Sequence, residues 1–420
     1  MNNITTNKDI KSVSANEQSR SLPKGWEIKK LGEVCEVYNG LWKGKKEPFL
    51  EVGVIRNTNF TKDGFLDDSN IAYLPVEVKQ YEKRKLQFGD IILEKSGGGP
   101  KQPVGRVVPF EKKEGEFSFS NFTSVIRIKD DKLLNYTFLH RFLFWTYMSG
   151  VTEKMQRRST GIRNLQLKEY KQIPIPIPPL PEQKRIVSIL DKVFSAIEQS
   201  RNNAEQNLKN AKELFDSYLN RIFSPENPEA LEGWEEKTLG EVCEINMGQS
   251  PKGTSYNTEG IGTPLINGPV EFGKEPFSKT KRIKFTTEPT KYCKKGDLIL
   301  CVRGSTTGRI NIAGFDACIG RGVASIRYSE NQLWVNYYIL ASRQKIYNLG
   351  TGATFPNVSS QILKKMMLPI PQIQEQKQIV AQLDKLQAET KKLEAIYQKK
   401  IDDLEELKKS ILQKAFNGEL

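Results

Sequence analysis

The sequence predicts an α+β protein: two α/β heads, each continued by a long helix, laid out as a tandem repeat. Three observations predict it. A block of sequence is duplicated, the same proline-to-helix junction occurs twice, and two long stretches carry a sustained heptad-like apolar pattern. GWEIKKLGEVCE at 25–36 returns as GWEEKTLGEVCE at 233–244, with ten of twelve positions identical. LQFGDIILEKSGGG (86–99) corresponds to CKKGDLILCVRGST (293–306), and SVIRIK (124–129) to ASIRYS (324–329). The Gly-Asp blocks read as a turn leading into a buried strand, and the second pair as another strand. Between these shared blocks the copies diverge, so the frame is duplicated while its contents differ.

The junctions read PIPIPPLPEQKRIVSILDK (174–192) and MLPIPQIQEQKQIVAQLDK (367–385). Pro178, Pro179 and Pro181 hold the first run extended, because proline fixes φ and disfavours helix in the residue before it. The second run keeps Pro369 and Pro371 but has Gln374 in place of Pro181. In the first helical stretch Ile186, Leu190, Val193, Ile197, Ala204, Leu208, Ala211, Phe215, Tyr218 and Ile222 step by threes and fours, with a break at Ser200/Arg201. In the second, Ile379, Leu383, Leu386, Leu393, Ile396, Leu404, Ile411 and Ala415 form a similar stripe. Each helix is expected to run about forty residues, roughly 60 Å. A stripe so long and narrow is hard to bury on a small head, so the two helices are expected to pair as a coiled coil. The predicted plan is a polar tail at 1–20, a head at 21–181, a helix at 182–223, a linker at 224–232, a head at 233–374 and a helix at 375–420.

Charge narrows the function. The 420 residues carry a net +14 with a pI near 9.3. The two helices together hold sixteen basic against fourteen acidic residues, which leaves +12 in the heads and tails. That distribution argues against a basic membrane-surface helix and for globular units that bind a polyanion, nucleic acid first. No stretch of eighteen apolar residues occurs, and the polar start lacks the apolar core of a secretory signal. Five cysteines, with no CxxC pair, and a single histidine predict neither a disulfide framework nor a zinc site, and they suit a reducing cytoplasm.

Glycine-rich basic loops in the heads supply the candidate DNA contacts, because glycine lets backbone approach phosphate while Arg, Lys, Asn and Gln read base edges. In the first head these are Trp42, Lys43 and Lys45; Lys95, Lys101 and Arg106; and Arg157, Arg158, Arg163 and Asn164. In the second they are Gln249, Lys252 and Tyr256; Arg303 and Arg309; Arg321; and Thr354 and Asn357. Any one such loop reads more readily as a solvated turn than as a contact; recurrence at matching places in both copies is what favours the functional reading. Trp26 and Trp234 lie in the shared frame and are expected in cores, and His140, in FLHRFLFWTY, is expected to be structural. Catalytic signatures are missing. KSGGGPK lacks the GxxxxGK[ST] spacing of a phosphate loop, and no glycine-rich cofactor fingerprint joins a strand to a helix. The chain is expected to catalyse nothing alone.

The duplicated LPEQKRIV (180–187) and IQEQKQIV (373–380), each opening a long helix after a variable α/β unit introduced by GW…LGEVCE, resembles the specificity subunit of type I restriction–modification systems. The likeness spans the chain after its first twenty residues. It implies that the heads are target recognition domains, each reading half of a split double-stranded DNA sequence. It also implies that the helices form an antiparallel coiled coil with a pseudo-twofold, which separates the heads and docks two modification subunits. Those partners would bind S-adenosylmethionine and methylate adenine N6 on a base flipped from the duplex. Two restriction subunits using ATP and magnesium would complete the system, with no cofactor or metal held by this chain. A specificity module of another restriction system fits the same residues. A non-catalytic coiled-coil scaffold with two binding heads does so less well, given the charge of the heads.

Overall fold

The structure, a computed structural model, describes residues 23–41, 44–99, 102–159, 162–223, 232–352 and 355–420. They form two compact units. One runs to Asn203 and takes in Lys400–Leu420; the other is Ala204–Lys399. Among the described residues no helix is long and apolar enough to cross a membrane.

In the first unit, Glu27–Lys30 pairs antiparallel with Pro174–Ile177, Glu27 opposite Ile177 and Lys30 opposite Pro174. The duplicated GWE block and the proline run are therefore the two strands of one ribbon that fastens the start of a head to its end. The central sheet runs Cys35–Asn39, Thr123–Ile128, Ile91–Glu94, Val107–Pro109, all antiparallel. A second sheet sets Phe49–Ile55 between Ala72–Glu77 and, in parallel, Phe117–Phe119. A third joins the hairpin Gln156–Ser159 and Ile162–Leu165 to Ser96–Gly98.

The second unit repeats the ribbon, with Glu235–Thr238 on Met367–Ile370, and the central sheet, in the order Glu244–Met247, Val323–Arg327, Leu298–Cys301, Ile310–Ile312. Its second sheet keeps the parallel pair, Thr263–Ile266 beside Ala317–Ile319, and widens to five strands. The Gly-Asp turn is conserved between the copies for a physical reason. Asp90 and Asp297 are buried behind it, 1% and 2% exposed, and each carboxylate accepts two hydrogen bonds at 2.7–2.8 Å from Arg127 or Arg327 of the adjacent strand. Burial of a carboxylate is tolerated only with such pairing.

The long helices are Leu180–Phe223 and Ile373–Phe416, 44 residues each. Both begin two residues before the expected start. Pro181 thus sits inside the first turn, where its missing N–H would have had no helical partner. The buried Gln183 explains the EQ of the junction. Its amide donates to the carbonyls of Pro178 (2.8 Å) and Leu133 (2.9 Å) and accepts from Asn135 N at 2.8 Å, and Gln376 donates likewise to Pro371 O at 3.0 Å.

In the first unit the start of the first helix lies along the end of the second. Ile186 and Leu190 share a core with Leu412, Ala415 and Phe416, and Arg201 pairs with Glu405 at 3.0 Å. In the second unit Phe215, Leu219 and Phe223 share a core with Val380 and Leu383, and Tyr218 Oη donates to Gln382 at 3.1 Å. The helices are antiparallel, as the resemblance implies. The apolar stripe is corrected in one place and widened in another. Tyr218 and Ile222 pack half-buried against the core as expected, with Leu219 and Phe223 buried beside them, whereas Leu393 and Ile396 stand 38% and 59% exposed. Phe223 and Phe416 end their helices against aromatic helices, at 4.8 Å from Trp334 and 5.2 Å from Phe142. Trp26 and Trp234 pack half-buried against the two cores, His140 is buried at 1% exposure, and all five cysteines are buried and free.

Candidate nucleic-acid interface

In the first head the antiparallel hairpin Gln156–Ser159/Ile162–Leu165 sets Arg157 opposite Asn164 and Arg158 opposite Arg163. Arg157 and Asn164 are exposed. The Asn164 amide oxygen accepts from Ser96 Oγ at 2.6 Å, which ties the hairpin to the glycine-rich strand beside it. Lys95, next in line, donates to Asn39 Oδ1 at 3.0 Å, and partial burial lowers its pKa from the usual lysine value. Lys45 is exposed on the loop before Phe49–Ile55, with its backbone N–H on Glu77 at 3.2 Å.

In the second head a bridge joins Arg303 to Asn357 and another joins Thr351 to Asn357, in place of the three-stranded sheet of the first. Val358 N donates to Val302 O just as Leu165 N donates to Lys95 O, so Asn357 occupies the place of Asn164 and Arg303 that of Ser96. Arg303 and Asn357 are exposed. Across the same surface Gln249, Lys252 and Arg321 are exposed. Arg321 N donates to Ser250 Oγ at 3.2 Å, and Lys252 reaches Glu288 at 3.9 Å. Tyr256 is half-buried with its hydroxyl on Pro251 O at 3.3 Å. Trp42, Lys43, Lys101 and Thr354 lie outside the described residues.

Arg106 and Arg309 differ from the others in being engaged within their own heads. Arg106 clasps the buried Glu94 at 2.8 and 2.9 Å, donates to the carbonyls of Asn57 and Phe60, and lies over the Phe60 ring at 5.5 Å. Arg309 takes the matching position, donating to Gly273 O at 3.3 Å and lying 5.9 Å from the Phe272 ring. Both guanidinium groups hold the loop after the first strand of the second sheet against the central sheet. They recur because the frame recurs, which makes them positioning residues.

Sequence reading also missed a crevice. Ser120 N donates to Ile55 O in the first head and Gly320 N to Ile266 O in the second, so the ends of the parallel strands coincide in the two copies. The residues that follow them do not: Arg56 and Asn57 against Asn267 and Gly268, and Ser120, Asn121 and Phe122 against Gly320, Arg321 and Gly322. Aligning SNF with GRG after the shared strand would have found the position. Only its second copy, IGRG, stood out by glycine content.

Sequence comparison decides the family. The profile of the type I restriction modification DNA specificity domain matches this chain twice, at residues 23–206 and 231–403. The chain belongs to the type I restriction–modification DNA specificity family. A protein of Methanocaldococcus jannaschii assigned as the MjaX type I restriction enzyme specificity subunit is 28% identical over 416 residues, covering 95% of this chain and 94% of its own. A chain from a solved type I R-M system superposes with a TM-score of 0.81 at 26% identity, over 95% of this chain and all of that one. The HsdS subunit of Thermoanaerobacter tengcongensis superposes at 0.66 with 25% identity, over 96% and 100%. The two heads are thus specificity domains, and the family is one of DNA recognition without catalysis of its own.

Proposed function

We propose that this specificity subunit reads a bipartite, asymmetric double-stranded DNA site, one half with each head. What carries the reading is a pair of heads on one frame whose polar surface residues differ at matched positions: Ser96 against Arg303, Arg157 against Thr351, and Asn121 against Arg321. Arg157, Arg158, Arg163 and Asn164, with Lys45 and Lys95, are the proposed contacts of the first head. Gln249, Lys252, Tyr256, Arg303, Arg321 and Asn357 are those of the second. The residues outside the described chain, Trp42, Lys43, Lys101 and Thr354, stay in the proposed set on sequence grounds.

The antiparallel helices set the gap between half-sites, which in two-fold readers are spaced by roughly one 34–36 Å duplex turn or its multiples. They also dock two modification subunits, which hold S-adenosylmethionine. Where two restriction subunits join, ATP and magnesium belong to them, and this chain acts in the cytoplasm without cofactor or metal. A map of methylated adenine in the source genome, with and without this gene, tests the reading. Loss of one split, asymmetric motif on deletion is the expected result; a methylome that does not change while the modification subunit is expressed would contradict it. Inserting seven residues into both helices is expected to widen the gap in that motif or abolish methylation.

A further inference from the structure

The crevice of the first head opens into a cavity of about 360 Å³. Its depth is aliphatic, lined by the buried Val54 and Val76 with Leu41 and the 39%-exposed Leu74 beside them. At the mouth stands Phe122, 44% exposed. Arg56, Asn57 and Ser120 add polar groups, and Arg56 Nε and Ser120 Oγ are buried with no protein partner among the described residues. The aliphatic lining together with the donor groups of Arg56 and Asn57 suits a ligand that brings both an apolar group and an acceptor.

The cavity adjoins the basic hairpin sheet. Lys95 N and Ser96 N both donate to Phe122 O, and a Cβ placed on Gly97 would lie 3.0 Å from the Asn57 amide nitrogen and 3.6 Å from the Phe122 ring. Duplex laid along Arg157 and Asn164 therefore brings base edges to this mouth.

Among the four bases, one edge in the major groove combines a methyl group with a carbonyl acceptor, namely thymine, with its C5-methyl beside O4. Cytosine offers a donor and no methyl, and adenine and guanine offer no apolar group. We infer that the pocket of the first head receives the 5-methyl group of a thymine in its half-site, with Arg56 or Asn57 donating to O4. The inference rests on the DNA-reading role proposed above. The second head keeps a buried aliphatic residue, Leu265, where the first has Val54, but differs around it. Gln249 stands for Leu41 and Gly322 for Phe122, while Asn267, whose Oδ1 is buried and unpartnered, replaces Arg56. Methyl recognition is therefore confined to one half-site.

Deoxyuridine, which lacks only the methyl, tests this directly. The full-length subunit, assembled with its modification subunits, is titrated against duplexes carrying the mapped motif in which each thymine is replaced in turn. At one thymine of the first head's half-site the replacement is expected to weaken binding about ten-fold, the worth of a methyl-sized group in an apolar pocket. In Phe122→Ala and, independently, Leu74→Ala, both surface truncations, that preference is expected to disappear while the replacements in the other half-site behave as before. Three results would overturn the inference: a half-site of the first head that lacks thymine on both strands, equal binding of deoxyuridine at every position in it, or a thymine there made hyperreactive to permanganate, which would mean that a whole base leaves the stack. Failure of the assembled complex to prefer the motif over unrelated duplex would instead overturn the recognition reading itself.

Discussion

At the root of each long helix the same three positions stack in both heads, with one residue exchanged. In the first, the Arg141 guanidinium lies 5.0 Å from the Phe65 ring and donates to Asp191 at 2.8 Å. In the second, Tyr337 lies 5.0 Å from Phe277 and its hydroxyl donates to Asp384 at 2.5 Å. What the position requires is a flat group to cover phenylalanine and a donor to hold the helix aspartate; arginine and tyrosine both supply these. The crevice behaves otherwise. There Gly322 takes the place of Phe122 and Asn267 that of Arg56, and neither size nor charge is kept. Frame positions preserve a physical function under substitution, whereas the crevice positions preserve only their place. That contrast separates the parts that hold a head together from those proposed to give it a target.

The sharpest way to break the comparison is through the shared ion pair. Removing Arg127 or Arg327 would leave Asp90 or Asp297 charged and buried. Arg127→Ala and Arg327→Ala should each destabilise their own head by about 3 kcal/mol in denaturant titration. A loss below about 1 kcal/mol in either would show that the frame is not equivalent in the two copies.

Next is a contrast in pH. Burial, aided by the neighbouring Arg141 charge, lowers the His140 pKa from 6.5 to about 3. The unfolded chain binds that proton below about 6.5 and the folded one does not, so stability falls as pH drops through the window between the two values. At pH 5 the loss should reach about 2 kcal/mol relative to pH 8, at about 1.4 kcal/mol per unit. The second head has Asn336 at this place, so His140→Asn should remove this share of the acid sensitivity, and leave the second head's response unchanged.

A smaller effect is expected at the helix roots. Tyr337→Phe should cost about 1 kcal/mol at any ionic strength. Arg141→Leu should show a cost that shrinks as salt rises, because Asp191 is 47% exposed and its pairing is screened. The smallest stability change is expected on the proposed DNA face. Arg157→Ala should alter stability by less than about 0.5 kcal/mol, yet lower the slope of log affinity against log salt by about 1.

Much of the frame was legible in sequence because the chain wrote it twice. The Gly-Asp turn and the extended prolines each rest on local rules, whereas the ribbon pairs segments far apart in the chain and the glutamine's role needs the folded proline carbonyls, so neither was legible. The helix seam was legible in length but not in detail. Leu393 and Ile396 fit the period yet face outward, because an apolar residue at the right spacing is buried only where a partner covers it.

Arg106 and Arg309 show what recurrence also reports. A feature found in both copies marks what the copies share, and what they share is the frame. The crevice escaped for the opposite reason. Leu41, Val54, Leu74 and Phe122 come from four segments brought together by the parallel strand pair, and no periodicity links them.

The central claim is that each head reads its own half-site on an exchangeable frame. It is tested most directly by building the contents of the first head into both copies, while keeping both ribbons and both helices, and mapping methylated adenine in cells that carry the modification subunits. The account predicts a motif made of two copies of the first half-site in inverted orientation with the native gap, as antiparallel helices require. A motif that keeps the second half-site, or alters both halves together, would contradict it.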